Sequence, residues 1–278
     1  QGPRMHLRIY PALWFDNQAL EALEFYCSVF PHSQILEQNA TVVKASLADQ
    51  LFIGINGGPY FLPNPAISFT VVCESRQEIN ALWQKLMIGG SSLKDLGHYA
   101  WNAYYGWVQD QYGYSWHLQL GQAKQIMQQK ILPNLLFCGI HQNQCSQALQ
   151  YYQKIFPNFQ RHQLTRYTSG ELKGQIQDCS FSINHLKLIA KDSPDTHIFD
   201  FNEAVSFVIP CKTQQEIDYY WNYFTEHGTE SWCGWCKDVF GISWQIVPEN
   251  ISAILKGKPQ ALSTLTRMKK IIIQDLLV

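Results

Sequence analysis

The chain is short of charge. Only 15% of its 278 residues are Asp, Glu, Lys or Arg, against roughly 25% in ordinary soluble domains. Net charge is −1, and like charges do not run together. Nucleic-acid binding needs a basic stripe that displaces counterions, so that partner class is excluded. No apolar run approaches the ~18 residues of a membrane span. The strongest, Ile271-Ile272-Ile273, is short and sits beside Lys269, Lys270 and Asp275. No membrane partner is expected. No signal peptide is recognisable, and Gln1-Gly2 ahead of Met5 reads as a cleavage remnant, so residues 1–4 are set aside. The eight cysteines are scattered, several inside apolar runs (Cys27, Cys73, Cys211). Their spacing is not that of a disulfide framework, and a reduced cytoplasmic protein is the simplest reading.

What is present is apolar and repetitive. Hydrophobic residues make up 46% of the chain and aromatics 14%, enough for two cores at this length. EALEFYCSVFP at 21–31 returns as QALQYYQKIFP at 147–157. ISFTVVCESRQEINALW at 67–83 returns as VSFVIPCKTQQEIDYYW at 205–221, and WVQDQYGYSWH at 107–117 as WCKDVFGISWQ at 235–245. Seventeen of these 39 positions are identical, at offsets of 126, 138 and 128 residues. A period of one domain means tandem duplication, not a solenoid.

Each half carries two strand-then-helix units. Ala22, Phe25, Tyr26 and Val29 share one helical face, as do Ile79, Leu82, Trp83 and Leu86. The second half repeats both stripes with Ala148, Tyr151, Tyr152, Ile155 and with Ile217, Tyr220, Trp221, Phe224. Strand-like runs precede them at Ala12–Phe15, Ile67–Cys73, Leu135–Cys138 and Val205–Cys211. Pro31 and Pro157 stop the first helices; Gly89-Gly90 and Gly228 stop the second ones. Asp110–Gly113 and Asp238–Gly241 read as tight turns between strands. Gln122 to Lys130 is the expected link, and a helix is expected at 261–275.

The run SWCGWCKDVFGISWQIVP at 231–248 resembles the closing motif of PhnB-like proteins. These are also called 3-demethylubiquinone-9 3-methyltransferase domains, within the vicinal oxygen chelate (glyoxalase/bleomycin resistance/dioxygenase) superfamily. Trp14-Phe15, Glu21–Tyr26 and Phe30-Pro31 resemble the family's opening, Gly57-Gly58-Pro59 and Asn64–Phe69 its middle, and Met268–Ile271 its tail. The resemblance implies an α+β fold. It consists of tandem vicinal oxygen chelate domains, each of two paired βαβββ modules forming a cupped mixed sheet with helices outside. The expected domains are 5–122 and 131–278, arranged as a covalent counterpart of the family's dimer. A monomer with an internal pseudo-dimer and a homodimer both remain open.

Metal-using members of the superfamily place ligands on the first and last strands of each module. The resemblance puts these positions near Ile9, Ile67, Ile131 and Val205, then at His117 and Gln245. Aliphatic side chains cannot ligate, so neither a metal nor another cofactor is expected. Strand alternation sets Ser115, His117 and Gln119 on the face opposite Trp116, Leu118 and Leu120. The second half offers Ser243 and Gln245 in the same places. With Phe15, Trp107, Phe137 and Trp235 around them, these polar residues suit a pocket for a small apolar or aromatic ligand. Their bland reading is packing between modules, with His117 a hydrogen-bonded structural histidine. Cys233 and Cys236 form a CxxC, but at a turn rather than a helix start, which argues against a redox dithiol. No Gly-rich strand-to-helix turn supports methyl transfer. No nucleophile–base–acid set is recognisable, so no catalytic residue is assigned. The alternatives are a metal-dependent lyase or dioxygenase, and a structural or interaction protein that binds no ligand.

Overall fold

The computed structural model describes residues 7–122 and 129–278. Most of the expected link at 122–130 lies outside the described residues. The first half runs β1 (Tyr10–Phe15), α1 (Ala19–Val29), β2 (Gln34–Gln38), β3 (Val42–Leu47), β4 (Gln50–Asn56), then β5 (Ile67–Cys73), α2 (Arg76–Leu86), β6 (Ser91–Tyr99), β7 (Asn102–Gln109), β8 (Ser115–Leu120). The second half repeats it with β9 (Ile131–Phe137), α3 (Cys145–Ile155), β10 (Gln160–Arg166), β11 (Ile176–Ile183), β12 (Leu186–Asp192), then β13 (Val205–Cys211), α4 (Gln214–Glu226), β14 (Thr229–Glu230), β15 (Trp235–Lys237), β16 (Ser243–Pro248). Three short helices close the chain: α5 (Ile251–Leu255), α6 (Pro259–Leu265) and α7 (Ile273–Leu276). The helix expected at 261–275 is thus broken in the middle. There, Cys233 and Gly234 donate their backbone N–H groups to the carbonyls of Met268 and Lys269, each at 2.8 Å. A continuous helix would hold those carbonyls in its own ladder.

The expected α+β architecture of paired βαβββ modules is present. Its partnering crosses the halves. One eight-stranded mixed sheet, sheet A, has the order β14-β15-β16-β13-β1-β4-β3-β2, and the other, sheet B, β10-β11-β12-β9-β5-β8-β7-β6. Sheet A therefore joins the first module of the chain to the last, through antiparallel β1–β13 pairing (Tyr10 opposite Val208). Sheet B joins the two middle modules through β5–β9 (Ile67 opposite Leu135). Neither half closes a sheet by itself.

Local chemistry explains the helices. Ser75 accepts from Glu78 N at 3.1 Å while Glu78 accepts from Glu74 N, the residue before the cap, at 3.0 Å, a variant of the capping box at α2. Thr213 and Glu216 repeat it at α4. The first helix of each half has no such cap of its own. Its first N–H is instead met from the end of the module's last strand: Ala19 N by Asn56 Oδ1 at 2.9 Å, Cys145 N by Asp192 Oδ1 at 3.0 Å. The helix-bearing faces of both sheets share one apolar core containing Tyr26, Phe69, Trp116, Tyr152, Phe207 and Trp244. Gly89, at φ +69°, takes the left-handed conformation expected after α2. Gly228 has a different reason: a Cβ there would lie 2.0 Å from the Lys237 carbonyl oxygen, so glycine permits close approach of β15.

The turn aspartates are the hinge pins of the core. Asp110 Oδ2 accepts from Tyr26 OH (2.6 Å) and Trp116 Nε1 (2.9 Å), and Oδ1 from the N–H groups of Tyr112 and Tyr114. Asp238 takes the same four donors from Tyr152, Trp244, Phe240 and Ile242. The repeated Asp-x-x-Gly-x-Ser-Trp is therefore a structural device. It ties the turn, the last strand and the first helix of the half to one buried carboxylate.

Candidate functional site

The faces of the sheets that bear no helices form two cups, and they differ. In sheet B the floor is polar. His117 lies opposite Thr70 in β5 and Trp107 in β7. Its Nε2 is 2.9 Å from Ser68 Oγ and its Nδ1 2.5 Å from Tyr105 OH. The ring stacks on Trp107 with centroids 4.6 Å apart. Thr70 donates to Asn134 Oδ1 at 2.9 Å. Tyr99, Trp101 and Tyr105 continue the wall in mutual ring contact.

This wall is built by a hairpin that the halves do not share in size. The repeat offset falls from 138 to 128 between the second helix and the turn aspartate, so the first half carries ten more residues there. They extend β6 and β7 to 9 and 8 residues, where β14 and β15 have 2 and 3.

Burial, then the charges of Lys191 and Lys94, pull the His117 pKa down to about 3. Burial pushes the Tyr105 phenol up. A neutral imidazole has one donor and one acceptor nitrogen, and here both are engaged. His117 is thus the hydrogen-bonded histidine of the bland reading, with no lone pair left for a metal ion. The other floor groups are neutral hydroxyls and an amide. Among the described residues, no three His, Cys, Asp or Glu side chains are grouped to hold an ion. The donor set does not fit the divalent metal of the superfamily, and no chemistry is derived through one.

In sheet A the cup is filled by the chain's own tail. Ile254, Leu265, Ile271 and Leu276 pack on Ala12, Ile53, Ile55, Val208 and Val247. Gln214 clamps the tail from α4: its Nε2 donates to Ile271 O at 2.9 Å and its Oε1 accepts from Ile273 N at 2.8 Å. Lys270 pairs with Asp218 at 3.0 Å. Beneath, Gln245 donates to Ser206 Oγ at 3.0 Å, the counterpart of His117 on Ser68. Ile271 is fully buried, so Ile271→Ala is expected to loosen the tail by about 2–4 kcal/mol. Trypsin should then cut at Lys256 or Arg267 well before global unfolding. A tail as resistant as wild type would show that this contact does not hold it.

The residues expected to share a pocket are distributed over three places. Trp107, Ser115, His117 and Gln119 lie on the cup-facing side of sheet B. Trp235, Ser243 and Gln245 belong to sheet A, where Trp235 packs with the tail cluster, 5.8 Å from the Trp14 ring. Phe15 and Phe137 are corrections: both are buried on the helix side, Phe15 against Tyr112 and Tyr114, Phe137 against Phe201 and Phe240. Odd positions of β1 and β9 turn inward there. The first-strand positions also move by one. Ile67, Ile131 and Val205 lie in the core, while Ser68 and Ser206 face the cups. Tyr99, Trp101, Tyr105, Ser68 and Asn134 were missed. The aromatic run from Tyr99 to Trp107, without a counterpart in the second half, was the available signal.

Cys233 (φ +60°) and Gly234 (φ +86°) form a left-handed turn against the tail. Burial raises both the Cys233 and Cys236 thiols, the opposite of a reactive dithiol. Gly57 makes room for the Trp14 indole, which a Cβ would meet at 2.1 Å. That leaves it no part in a nucleotide-binding turn.

Paired βαβββ modules in two cupped mixed sheets define the vicinal oxygen chelate fold. Glyoxalase I from Zea mays superposes over 95% of this chain and 97% of its own, with a TM-score of 0.56 and 8% identity, which shows the fold alone. A protein from Bacillus cereus described as a 3-demethylubiquinone-9 3-methyltransferase, PhnB protein, is 33% identical. It spans 40% of this chain and 96% of its own, with a TM-score of 0.38. No curated protein matches. The sequence profile of the 3-demethylubiquinone-9 3-methyltransferase family matches twice, at residues 7–119 and 129–247. The chain therefore belongs to this PhnB-like family, in two tandem copies.

Proposed function

We propose that the protein binds a small aromatic or largely apolar molecule in the cup of sheet B, without a metal ion. The observation that carries this reading is the inequality of the cups. Sheet A covers its floor with four apolar side chains of its own tail. Sheet B instead has a polar floor in which His117, Asn134 and Gln119 are half-buried, and an aromatic wall whose turn carries Trp101, 58% exposed. A mostly apolar concavity with a few fixed polar groups suits a small organic ligand. Methyl transfer is not proposed, since no glycine-rich turn stands between a strand and a helix to hold a methyl donor. A reducing, cytoplasmic setting is supported by eight unpaired cysteines. The modules pair across halves inside one chain, which supports a monomer with an internal pseudo-dimer.

The test is thermal unfolding of chelator-treated protein, first with Mn²⁺, Ni²⁺ and Zn²⁺, then with small aromatic compounds. A ligand at a hundred times its Kd stabilises by about 2.7 kcal/mol, a readily measured shift. Saturable stabilisation by an aromatic compound, lost in Trp107→Ala, is expected, with no metal-specific shift. A shift with one metal that disappears in His117→Ala would overturn the metal-free reading in favour of a metal-dependent lyase or dioxygenase.

A further inference from the structure

We infer that the ligand of the sheet B cup is an anion, an aromatic or apolar body bearing a carboxylate or comparable acidic group. This rests on the pocket reading above and narrows it. Among the described residues, two buried groups on the cup-facing side have no hydrogen-bond partner: the Trp107 indole N–H, which can only donate, and the Ser115 hydroxyl, which can donate or accept. Trp107 Nε1 is buried with no acceptor among the described residues, although its ring lies on His117 inside the cup. A buried N–H left unpaired costs about 1–3 kcal/mol, so its retention in the wall points to an acceptor supplied from outside.

Two lysines reach the same face from opposite arms of the sheet. Lys94 of β6 lies opposite Trp107 and holds its ammonium 5.3 Å over the Trp101 ring. Lys191 of β12 lies on the face opposite Ala190 and the buried Asp192, which pack into the core side. Neither lysine has a carboxylate within 4.0 Å among the described residues. Asp178 of β11 and, less strongly, Asp195 favour the charge of Lys191 without pairing with it at 4.0 Å. Burial, and less strongly Lys94, disfavour the charge of Lys191. An anion between the two lysines would offset the burial and repulsion that disfavour the Lys191 charge. His117 cannot supply it, being neutral and fully hydrogen-bonded.

The test pairs two probes of equal shape, 2-naphthoate and 2-naphthamide. Each is titrated into the full-length protein by tryptophan fluorescence, with Trp107→Phe identifying the signal that arises in the cup. Naphthoate is expected to bind at least about tenfold more tightly, equivalent to one well-placed charge interaction of ~1.4 kcal/mol. Raising salt should erode that preference. Lys191→Met, which keeps the apolar stem, should reduce it to within about threefold, and Lys94→Met should act in the same direction. If Lys191→Met fails to fold, Lys191→Gln and the salt series on the wild type answer the same question. Equal affinities for the two probes, or a preference that survives in the double lysine variant, would overturn the anion inference and leave the pocket standing. Saturation by neither probe up to millimolar concentration would remove the pocket reading itself.

Discussion

Asp238→Asn is expected to lower stability by about 3 kcal/mol, which in a chain of this size is a fall of roughly 6–12 °C in Tm. The amide keeps the shape of the carboxylate and can still accept from the backbone N–H groups of Phe240 and Ile242 at Oδ1. Its NH₂ group then faces two donors, Tyr152 OH and Trp244 Nε1, now 2.6 and 2.9 Å from Oδ2. The tyrosine hydroxyl can rotate and accept. The indole N–H cannot, and it is left unpaired in a fully buried site. Asp110→Asn should behave alike, because Tyr26 and Trp116 occupy the same places around it.

The pH dependence of this pair has a definite sign. Burial raises both carboxyls above their usual 3.8 even though four donors pull them down. The folded chain therefore holds these protons more tightly than the unfolded chain. Their contribution is most favourable below the unfolded pKa and declines as pH rises through the folded one. Urea denaturation of both variants between pH 3 and 8 checks the two statements together. A loss under 1 kcal/mol would mean that the network is not closed around the carboxylate as described.

Much of this scaffold is legible in the sequence because it is local. Capping boxes, helical stripes and turn glycines each act within a few residues, and the duplication states them twice. Partnering is not local. Alternation decides which face a residue takes but not which strand lies beside it, so the β1–β13 contact, which joins Tyr10 to Val208, leaves no local mark. The facing of the first strands was lost for a related reason. Every residue of β5 is buried, and a strand covered on both faces shows no polar–apolar alternation to fix its phase. Ile67 was thus read where Ser68 stands. The tail shows the same limit: Ile271, Leu265 and Leu276 look like an ordinary amphipathic pattern, and only the fold reveals that they occupy a cup.

The equivalence of His117 and Gln245 supplies the other large effect. His117→Gln puts into sheet B the residue that sheet A already uses. The amide can reach Ser68 Oγ as Gln245 reaches Ser206, while the bond to Tyr105 is lost, at about 1 kcal/mol near neutral pH. What changes most is acid stability. The folded protein keeps His117 neutral down to about pH 3, by burial and then by Lys191 and Lys94. The unfolded chain takes up that proton near 6.5. The contribution is therefore complete above 6.5 and is lost as pH falls through the window down to about 3. Each unit is worth 1.36 kcal/mol at full effect. Allowing for the solvent that reaches a half-open cup, the loss is on the order of 3 kcal/mol. The variant carries no such group. Its stability curve should start lower at pH 7, cross the wild-type curve roughly one unit below 6.5, and lie above it in acid. Imidazole resonances of His117 should stay in the neutral position down to about pH 4. Parallel stability curves, or a ring that titrates near 6.5, would mean that the imidazole is not held between Ser68 and Tyr105. The lone pair withheld from a metal ion would then be free, and the metal-dependent reading would regain its ligand.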